Sequence, residues 1–311
     1  MEGIMNFNDI ESRFPYIGVS TFYGYPSSKD LNEADVAIVG VPFDHGTTNR
    51  PGARFGPRSI RSASQNYGIY LNKDYGAFDS ELQHYILGGV NIVDYGDVPI
   101  LPTHTKTNMR MINTTFKKIV DAGVFPVAFG GDHTVTYPIV KAFKKPMDVV
   151  HFDTHLDFVD GTENLKFSHS NPLKRVSEIE NINNITQIGI RGFTDKIENY
   201  DESKNYGSEI ITASEVIDNG TVWVLDQIPE SDNIYVTIDI DVLDPSIAPG
   251  TGTPEPGGLT YNQLKEILTN LKNKGEILGF DVVEVNPLFD LSEITSLTAA
   301  RLCFDFLGSI F

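Results

Sequence analysis

Short runs of almost continuously apolar residues recur along the chain and constrain its fold more than any other feature. Such runs span residues 36–41, 91–94, 125–129, 148–152, 186–190, 233–240 and 277–285. Strands that are buried on both faces have this pattern, whereas strands with one solvated face alternate apolar and polar residues. The runs therefore predict a mostly parallel sheet that is covered on both of its faces.

Segments with helical periodicity lie between some of these strands. In residues 107–122 apolar side chains recur at spacings of three and four, and Gly123 follows as a C-cap. Residues 260–274 repeat the pattern behind a capping box that begins at Thr260, and a last helix is expected from about residue 292. Strands that alternate with helices form βαβ units, so the pattern predicts an α/β fold with helices on both sides of the sheet.

The composition is that of an ordinary globular chain: 311 residues, of which 40% are hydrophobic and 21% charged. No repeat or linker divides it, so we expect a single domain over residues 1–311, with roughly the first 30 as a peripheral extension. Lys and Arg number 24 against 42 Asp and Glu, which gives a net charge of −18. Nucleic acid is therefore not an expected partner, because phosphates need cationic groups.

The sequence gives no indication of secretion or of membrane insertion. Cys303 is the only cysteine, so neither an internal disulfide nor a cysteine metal cluster can form within one chain. The first residues lack the pattern of a signal peptide, and no window approaches 18 consecutive apolar residues. We therefore expect a cytoplasmic protein without a membrane partner.

Four of the predicted strands run directly into acidic residues and histidines. These are His133 after the strand at 125–129, the trio Asp153, His155 and Asp157 after 148–152, the pair Asp239 and Asp241 at the end of 233–240, and Glu284 in 277–285. In open parallel sheets ligands bind beyond the carboxyl ends of the strands. Side chains with a spacing of two also share one face of an extended segment. These residues could therefore converge on one site.

A site with four carboxylates needs cations, because buried like charges repel each other. Two divalent metal ions would neutralise them. Carboxylate and imidazole ligands without thiolate favour Mn²⁺, with Zn²⁺, Fe²⁺, Co²⁺ and Ni²⁺ as alternatives, and the histidines argue against Ca²⁺. The alternative is that each Asp is a turn residue or helix cap and each His a core residue, but three such clusters at strand ends argue against it.

Two further residues have an open interpretation. His169 lies in a loop without apolar periodicity, where it is either solvated or, near a metal pair, able to carry protons. Glu284 ends a strongly apolar strand and needs a partner. That partner is either a cationic substrate or an arginine of the chain such as Arg301.

Taken together, these residues resemble the arginase and agmatinase family, the ureohydrolases, over about residues 36–300. The matching motifs are GGDHT at 130–134, HFDTHLD at 151–157, TIDIDVLDP at 237–245 and GTGTPEPGGL at 250–259. The resemblance implies a three-layer α/β/α sandwich around a mostly parallel sheet. It also implies two Mn²⁺ per subunit, hydrolysis of a small cationic guanidino substrate to urea and an amine, and a homotrimer or homohexamer.

The resemblance further implies roles for individual residues. One metal ion would be held by His133, Asp153, Asp157 and Asp239, and the other by Asp153, His155, Asp239 and Asp241. Asp157 would also pass a proton to the leaving amine, His169 would carry protons, and Glu284 would orient the guanidinium group.

Within the family, residues 40–57 resemble the agmatinase branch, which favours agmatine, giving putrescine and urea. Arginases usually have an Asn where this chain has Val159, and Asp132 argues against the formiminoglutamate branch. One departure is that Ser170 and Asn171 follow His169 where agmatinases usually have Gly-Thr; larger side chains there would narrow or repolarise the substrate pocket.

Two alternatives stay open beside agmatine, and a third is disfavoured. The same chemistry could act on guanidinobutyrate, guanidinopropionate or guanidine, with Arg191 or an arginine of residues 50–61 binding an acidic tail. The chain could also be a metal-binding homologue without turnover. A dinuclear phosphoesterase is disfavoured, because its Asp-x-His motif precedes a Gly-Asn-His motif and the order here is the reverse.

Overall fold

The computed structural model describes residues 15–72, 74–161, 165–194 and 196–311. In these residues the strands are β1 (Val36–Val41), β2 (Gly76–Asp79), β3 (His84–Leu87), β4 (Ile92–Asp97), β5 (Phe125–Gly130), β6 (Met147–Phe152), β7 (Ile182–Ile190), β8 (Glu209–Thr212), β9 (Asn233–Asp239) and β10 (Glu276–Val283). Eight of them form one sheet in the order β4-β1-β5-β10-β9-β6-β7-β8, and β2 and β3 form a separate hairpin. Every pairing within the large sheet is parallel.

All seven apolar runs of the sequence are strands of this sheet, so the prediction of a mostly parallel sheet is confirmed. The sequence did not indicate β8 or the antiparallel hairpin of β2 and β3. Each of these strands has only four residues, and two of the four residues of β3 are exposed. Such short or exposed strands lack the apolar run that marks a buried one.

The helices are α1 (Gly56–Gly68), α2 (Thr105–Asp121), α3 (Thr136–Val140), α4 (Pro172–Val176), α5 (Ile197–Tyr206), α6 (Ala213–Asn219), α7 (Thr221–Gln227), α8 (Tyr261–Asn270) and α9 (Ile294–Ile310). Thr260 and Gln263 form the predicted capping box at the start of α8. Gly123 follows the end of α2 with a φ of +74°, and this left-handed conformation is the one expected of a glycine that ends a helix. The last helix begins at Ile294, two residues later than predicted.

The apolar core has two parts, one on each face of the large sheet. In β1, Val36 and Ile38 belong to one part, whereas Ala37 and Val39 belong to the other. Side chains of α1, α8 and α9 pack in the first part, and those of α2 and α3 pack in the second. The protein is therefore a three-layer α/β/α sandwich, as predicted. The part of the chain that the structure describes has no helix of the length and apolarity that a membrane span requires.

Candidate metal centre and active site

The four strands that lead to the predicted site lie side by side in the sheet, in the order β5-β10-β9-β6. Their carboxyl ends therefore meet along one edge, as the ligand-binding edge of a parallel sheet requires. The structure brings all six predicted ligands, His169 and Glu284 to this edge. Six of the eight are buried, and Asp157 and His155 are partly buried.

One group of ligand atoms surrounds His133. Its Nδ1 lies 3.0 Å from Asp157 Oδ2, 3.1 Å from Asp153 Oδ2 and 3.3 Å from Asp239 Oδ2. This nitrogen is buried and makes no hydrogen bond of acceptable geometry within the described structure. A buried polar atom without a partner needs an explanation, and one cation among these four atoms supplies it.

A second group surrounds His155. Its Nδ1 lies 3.3 Å from Asp153 Oδ1 and 3.3 Å from Asp241 Oδ2. Asp153 therefore directs one carboxylate oxygen to each group. A carboxylate that bridges two metal ions has this arrangement, so the donor set fits the predicted pair of ions.

The charges of the site show why it suits cations. Burial, together with the neighbouring Asp241 and Asp153, raises the pKa of Asp239 well above its usual range. Burial by itself would lower the pKa of His155, but Asp241 and Asp153 raise it to about 12. Without metal, the cluster thus offsets its negative charge by holding protons. Divalent cations offset the same charge, and their binding releases protons.

Backbone strain marks two residues of the site. Asp157 has a φ of +49° and Glu284 a φ of +62°, values in the left-handed region that side chains other than glycine seldom adopt. Such strain persists only where the surroundings enforce it, and it concentrates at functional sites. Both strained residues lie at the carboxyl edge of the sheet, beside the ligands of the predicted metal centre.

Polar residues that the sequence analysis missed support the ligands from within the sheet. Thr237 Oγ1 lies 3.0 Å from His133 Nε2 and donates to Asp281 Oδ1 at 2.6 Å. His133 Nε2–H must then donate to Thr237, which leaves Nδ1 as the ligand atom. His151 Nε2 lies 2.8 Å from Asp153 Oδ2. The signal was present, since His151 and Thr237 each follow a run of apolar residues in a buried strand and precede a ligand Asp by two residues.

Glu284 and His169 contact each other beside this centre. Glu284 Oε1 accepts from the backbone N–H of His133 at 3.0 Å and lies 3.2 Å from His169 Nδ1. Burial opposes protonation of His169, but Glu284 raises its pKa to about 9. The alternative partner for Glu284 is not observed, because Arg301 pairs with Asp79 and Asp305 instead.

A cavity of about 340 Å³ opens onto the centre. Its wall includes His155, Asp157 and Asp239 from the centre, and Val159, Ser170 and Phe193 farther out. Two loops rich in Gly and Pro, residues 44–57 and 244–258, also reach the cavity, through Thr48 and Thr253.

The departure at residues 170–171 has less effect on this cavity than the sequence suggested. Asn171 is buried beneath the loop, where its amide donates to Leu165 O and its carbonyl accepts from Ser168 N–H. It does not line the cavity, so the expectation that it narrows the pocket is wrong. Only Ser170 lies in the wall.

Arg191 also lines the cavity, but its guanidinium group is already engaged. Nε and both terminal nitrogens donate to backbone carbonyls, among them Gly189 O, Asp241 O and Glu255 O. None of the four arginines of residues 50–61 lies in the described wall of the cavity. Arg54 pairs with Asp44, Arg61 pairs with Asp94 and Asp97, and Arg58 is exposed. Arg50 instead lies over the ring of Phe289.

An α/β/α sandwich with two groups of carboxylate and imidazole ligands at its carboxyl edge has the donor set of a metal-dependent enzyme. A sequence model of the arginase family matches residues 34–308. The chain is 37% identical over 301 residues to a mitochondrial agmatinase from Gallus gallus, and the match covers 94% of this chain and 85% of the relative. It is 36% identical over 302 residues to a mitochondrial guanidino acid hydrolase from Homo sapiens, covering 94% and 83%.

A solved structure agrees with these relatives. The proclavaminate amidino hydrolase from Streptomyces clavuligerus superposes with a TM-score of 0.83 at 31% identity, over 95% of this chain and 98% of that one. This chain therefore belongs to the arginase family. It is a metal-dependent amidinohydrolase, which hydrolyses a guanidino group. Its relatives carry names for different guanidino substrates, so the substrate is a separate question.

Proposed function

We propose that this enzyme hydrolyses agmatine to putrescine and urea with two Mn²⁺ per subunit. The observation that carries the choice of substrate is that the described wall of the cavity offers no Arg or Lys with free donors, and that His169, whose pKa is raised to about 9, already faces Glu284. Arg191 is the only Arg or Lys there, and backbone carbonyls occupy its donors. A substrate with an acidic tail would lose the water around its carboxylate without gaining a cationic partner.

The outer wall suits a substrate with an apolar linker and a cationic end. The side chain of Val159 offers no hydrogen bond to a carboxylate, and the adjacent aromatic residue Phe158 also lines the cavity. Phe193, a residue that is 97% exposed, and Tyr200 line the cavity, and an aromatic face attracts an ammonium group. Helix α5 contributes Asn199 and Tyr200 to the wall and contains three acidic residues and one lysine, and this net negative charge favours a cation electrostatically.

The residues of the centre have separable roles in this proposal. His133, Asp153, Asp157 and Asp239 would hold one metal ion, and Asp153, His155, Asp239 and Asp241 the other. When bound, the ions would lower the pKa of a coordinated water so that it can attack at neutral pH. Asp157 Oδ2 lies at the border of the first group and the cavity, where a carboxylate can take a proton and give it to the leaving amine.

Glu284 and His169 would act on the substrate. Glu284 uses Oε1 for its contacts with His133 and His169, whereas Oε2 faces Gly252 and remains for the N–H groups of a guanidinium. His169 lines the cavity and contacts Thr48 through Nε2. It can exchange protons between the site and the cavity.

A panel of substrates tests the proposal. We expect the Mn²⁺-loaded protein to release urea from agmatine with a kcat/KM at least about 10-fold higher than from guanidinobutyrate, guanidinopropionate or arginine. Free guanidine, which has no tail, serves as the internal control. Phe193→Ala should raise KM for agmatine and leave turnover of guanidine unchanged.

Two outcomes would contradict parts of this proposal. Preference for a guanidino acid, the substrate class in the name of the human relative, would keep the chemistry and overturn the substrate. If no substrate of the panel releases urea with Mn²⁺, Ni²⁺, Co²⁺ or Zn²⁺, the result would support a metal-binding homologue without turnover. The cytoplasmic location and the single domain remain proposals from the sequence, and the homotrimer or homohexamer remains a proposal from the resemblance. Light scattering of the purified protein tests the assembly.

A further inference from the structure

A row of buried polar side chains crosses the sheet directly beneath the metal ligands. Gln187 on β7 is the register partner of His151 on β6, and His151 is in turn the partner of Thr237 on β9. All three residues are fully buried. Thr237 supports His133, as described above. The function of His151 and Gln187 is not explained by the six ligands.

The hydrogen bonds of Gln187 fix the orientation of its side-chain amide. Nε2 lies 2.7 Å from Leu156 O, and a backbone carbonyl can only accept. The nitrogen is therefore on this side, and Oε1 accepts from Ser203 Oγ at 2.6 Å on the other. The amide cannot be reversed without placing its carbonyl oxygen against that of Leu156.

This orientation decides which nitrogen of His151 carries the proton. The second hydrogen of Gln187 Nε2 is directed to His151 Nδ1, which lies 3.0 Å away and must accept. The proton of the neutral imidazole is then on Nε2. Since Nε2 lies 2.8 Å from Asp153 Oδ2, His151 donates to this carboxylate.

We propose that Gln187 is a positioning residue for the metal centre. It holds His151 in the Nε2–H tautomer, and His151 in turn holds Asp153 in the orientation that serves both ligand groups. His151 thus acts as a hydrogen-bond donor and not as a seventh ligand, although it lies within ligand distance of His133, Asp153 and Asp157. The inference depends on the metal centre but not on the identity of the substrate.

The opposite tautomer would weaken the site for a simple electrostatic reason. It would direct the lone pair of Nε2 at Asp153 Oδ2, so that two acceptors face each other in a buried place. Asp153 would turn away from one of the two groups. Partners that orient ligating carboxylates in this way typically change metal affinity by about 10- to 100-fold when removed.

Nuclear magnetic resonance of the unaltered protein tests the tautomer directly. The protein is loaded with diamagnetic Zn²⁺ and labelled with ¹⁵N in its histidine rings, and the signals of His151 are assigned from their loss in His151→Asn. We expect the coupling pattern of a neutral imidazole with its proton on Nε2. A pattern with the proton on Nδ1, or on both nitrogens, would overturn the proposal.

A pair of variants tests the consequence for metal binding. Gln187→Met keeps the length of the side chain but removes both donors, whereas Thr186→Val alters the neighbouring buried residue on the other face of β7. In chelator competition with Mn²⁺ alone, we expect Gln187→Met to bind at least about 10-fold more weakly than wild type, and Thr186→Val to match wild type.

A milder variant guards against a general loss of folding. Ser203→Ala retains Gln187 and removes only one of its contacts, so we expect a smaller loss of affinity with an unchanged melting temperature of the metal-free protein. Wild-type Mn²⁺ affinity in both Gln187→Met and Ser203→Ala would contradict the proposal. Urea release is not needed for any of these measurements, so failure of the proposed substrate would not affect them.

Discussion

Two buried acidic clusters of this protein differ in how their charges are balanced. The first is the metal centre with Asp153, Asp157, Asp239 and Asp241. The second, which we call the α9 network, joins Asp79 and Asp305 through Arg301, whose nitrogens lie 2.7 Å from each carboxylate. Lys265 adds a further cation, 2.8 Å from Glu81 and 3.5 Å from Asp305.

The pKa values show the consequence of this difference. Burial raises the pKa of Asp239, and the neighbouring acids raise it further. Burial also acts on Asp79, but backbone N–H groups and Arg301 bring its pKa below the usual value. The α9 network thus contains its own cations, whereas the metal centre contains only histidines. A buried acidic cluster whose negative charge is not balanced by Arg or Lys of the chain is suited to bind metal cations.

The largest effect is expected at the metal centre, from Asp157→Asn. The amide keeps the size of the side chain but cannot take up and return a proton, so urea release should fall by about 100-fold or more. At least one metal ion should remain, because the ligands around His155 are unchanged. Metal content and urea release are measured on the same sample. Near-normal turnover would show that Asp157 does not have the assigned role.

A smaller effect on catalysis is expected from Glu284→Gln, which lies outside the two ligand groups. Loss of one negative charge next to the substrate should lower kcat/KM by about 10- to 100-fold, since the guanidinium is then less well oriented. Metal content should equal that of wild type. If the ions are lost in this variant, Glu284 is itself needed for metal binding, and its assignment to the substrate alone is wrong.

The α9 network should affect stability and not metal binding. Arg301→Ala leaves the buried carboxylates of Asp79 and Asp305 without their main partner and should lower the free energy of unfolding by about 2 kcal/mol. Mn²⁺ affinity should stay at the wild-type value. Denaturant unfolding of the metal-free protein measures the first quantity, and chelator competition measures the second. A loss of Mn²⁺ affinity would mean that the two clusters are not independent.

The smallest effect is the pH dependence that Asp79 contributes. Its pKa is lower in the folded protein than in an unfolded chain. Its stabilising contribution is therefore complete above the unfolded pKa of about 4 and is lost as the pH falls through the lower folded pKa. We expect the difference in melting temperature between wild type and Asp79→Asn to be constant above about pH 5 and to shrink below about pH 4. A difference that is independent of pH would contradict this.

The sequence indicated the sheet and the ligands for related physical reasons. Strands buried on both faces need continuous apolar residues, and the ends of such strands stand out when acids follow, as at Asp153 and Asp239. The support beneath them was harder to recognise. Gln187 and His151 are distant in sequence, and only the register of β6 and β7 makes them partners.

The side chains available to a substrate in the cavity could also be identified only from the structure. In the sequence Asn171 and Arg191 both suggested substrate contacts. The structure shows that loop packing uses the amide of Asn171 and that backbone carbonyls use the guanidinium of Arg191. The hydrogen-bond donors of a side chain that remain free for a ligand depend on which distant backbone segments pack against it. Local sequence does not show which segments these are.

The most direct test of the account is a titration of the metal-stripped protein with Mn²⁺, followed by calorimetry and by urea release from agmatine at each point. We expect two ions to bind per chain, release of protons on binding, and activity that appears only as the sites fill. Binding of fewer than two ions, or urea release from the stripped protein in the presence of a chelator, would contradict the assignment of a dinuclear metal centre.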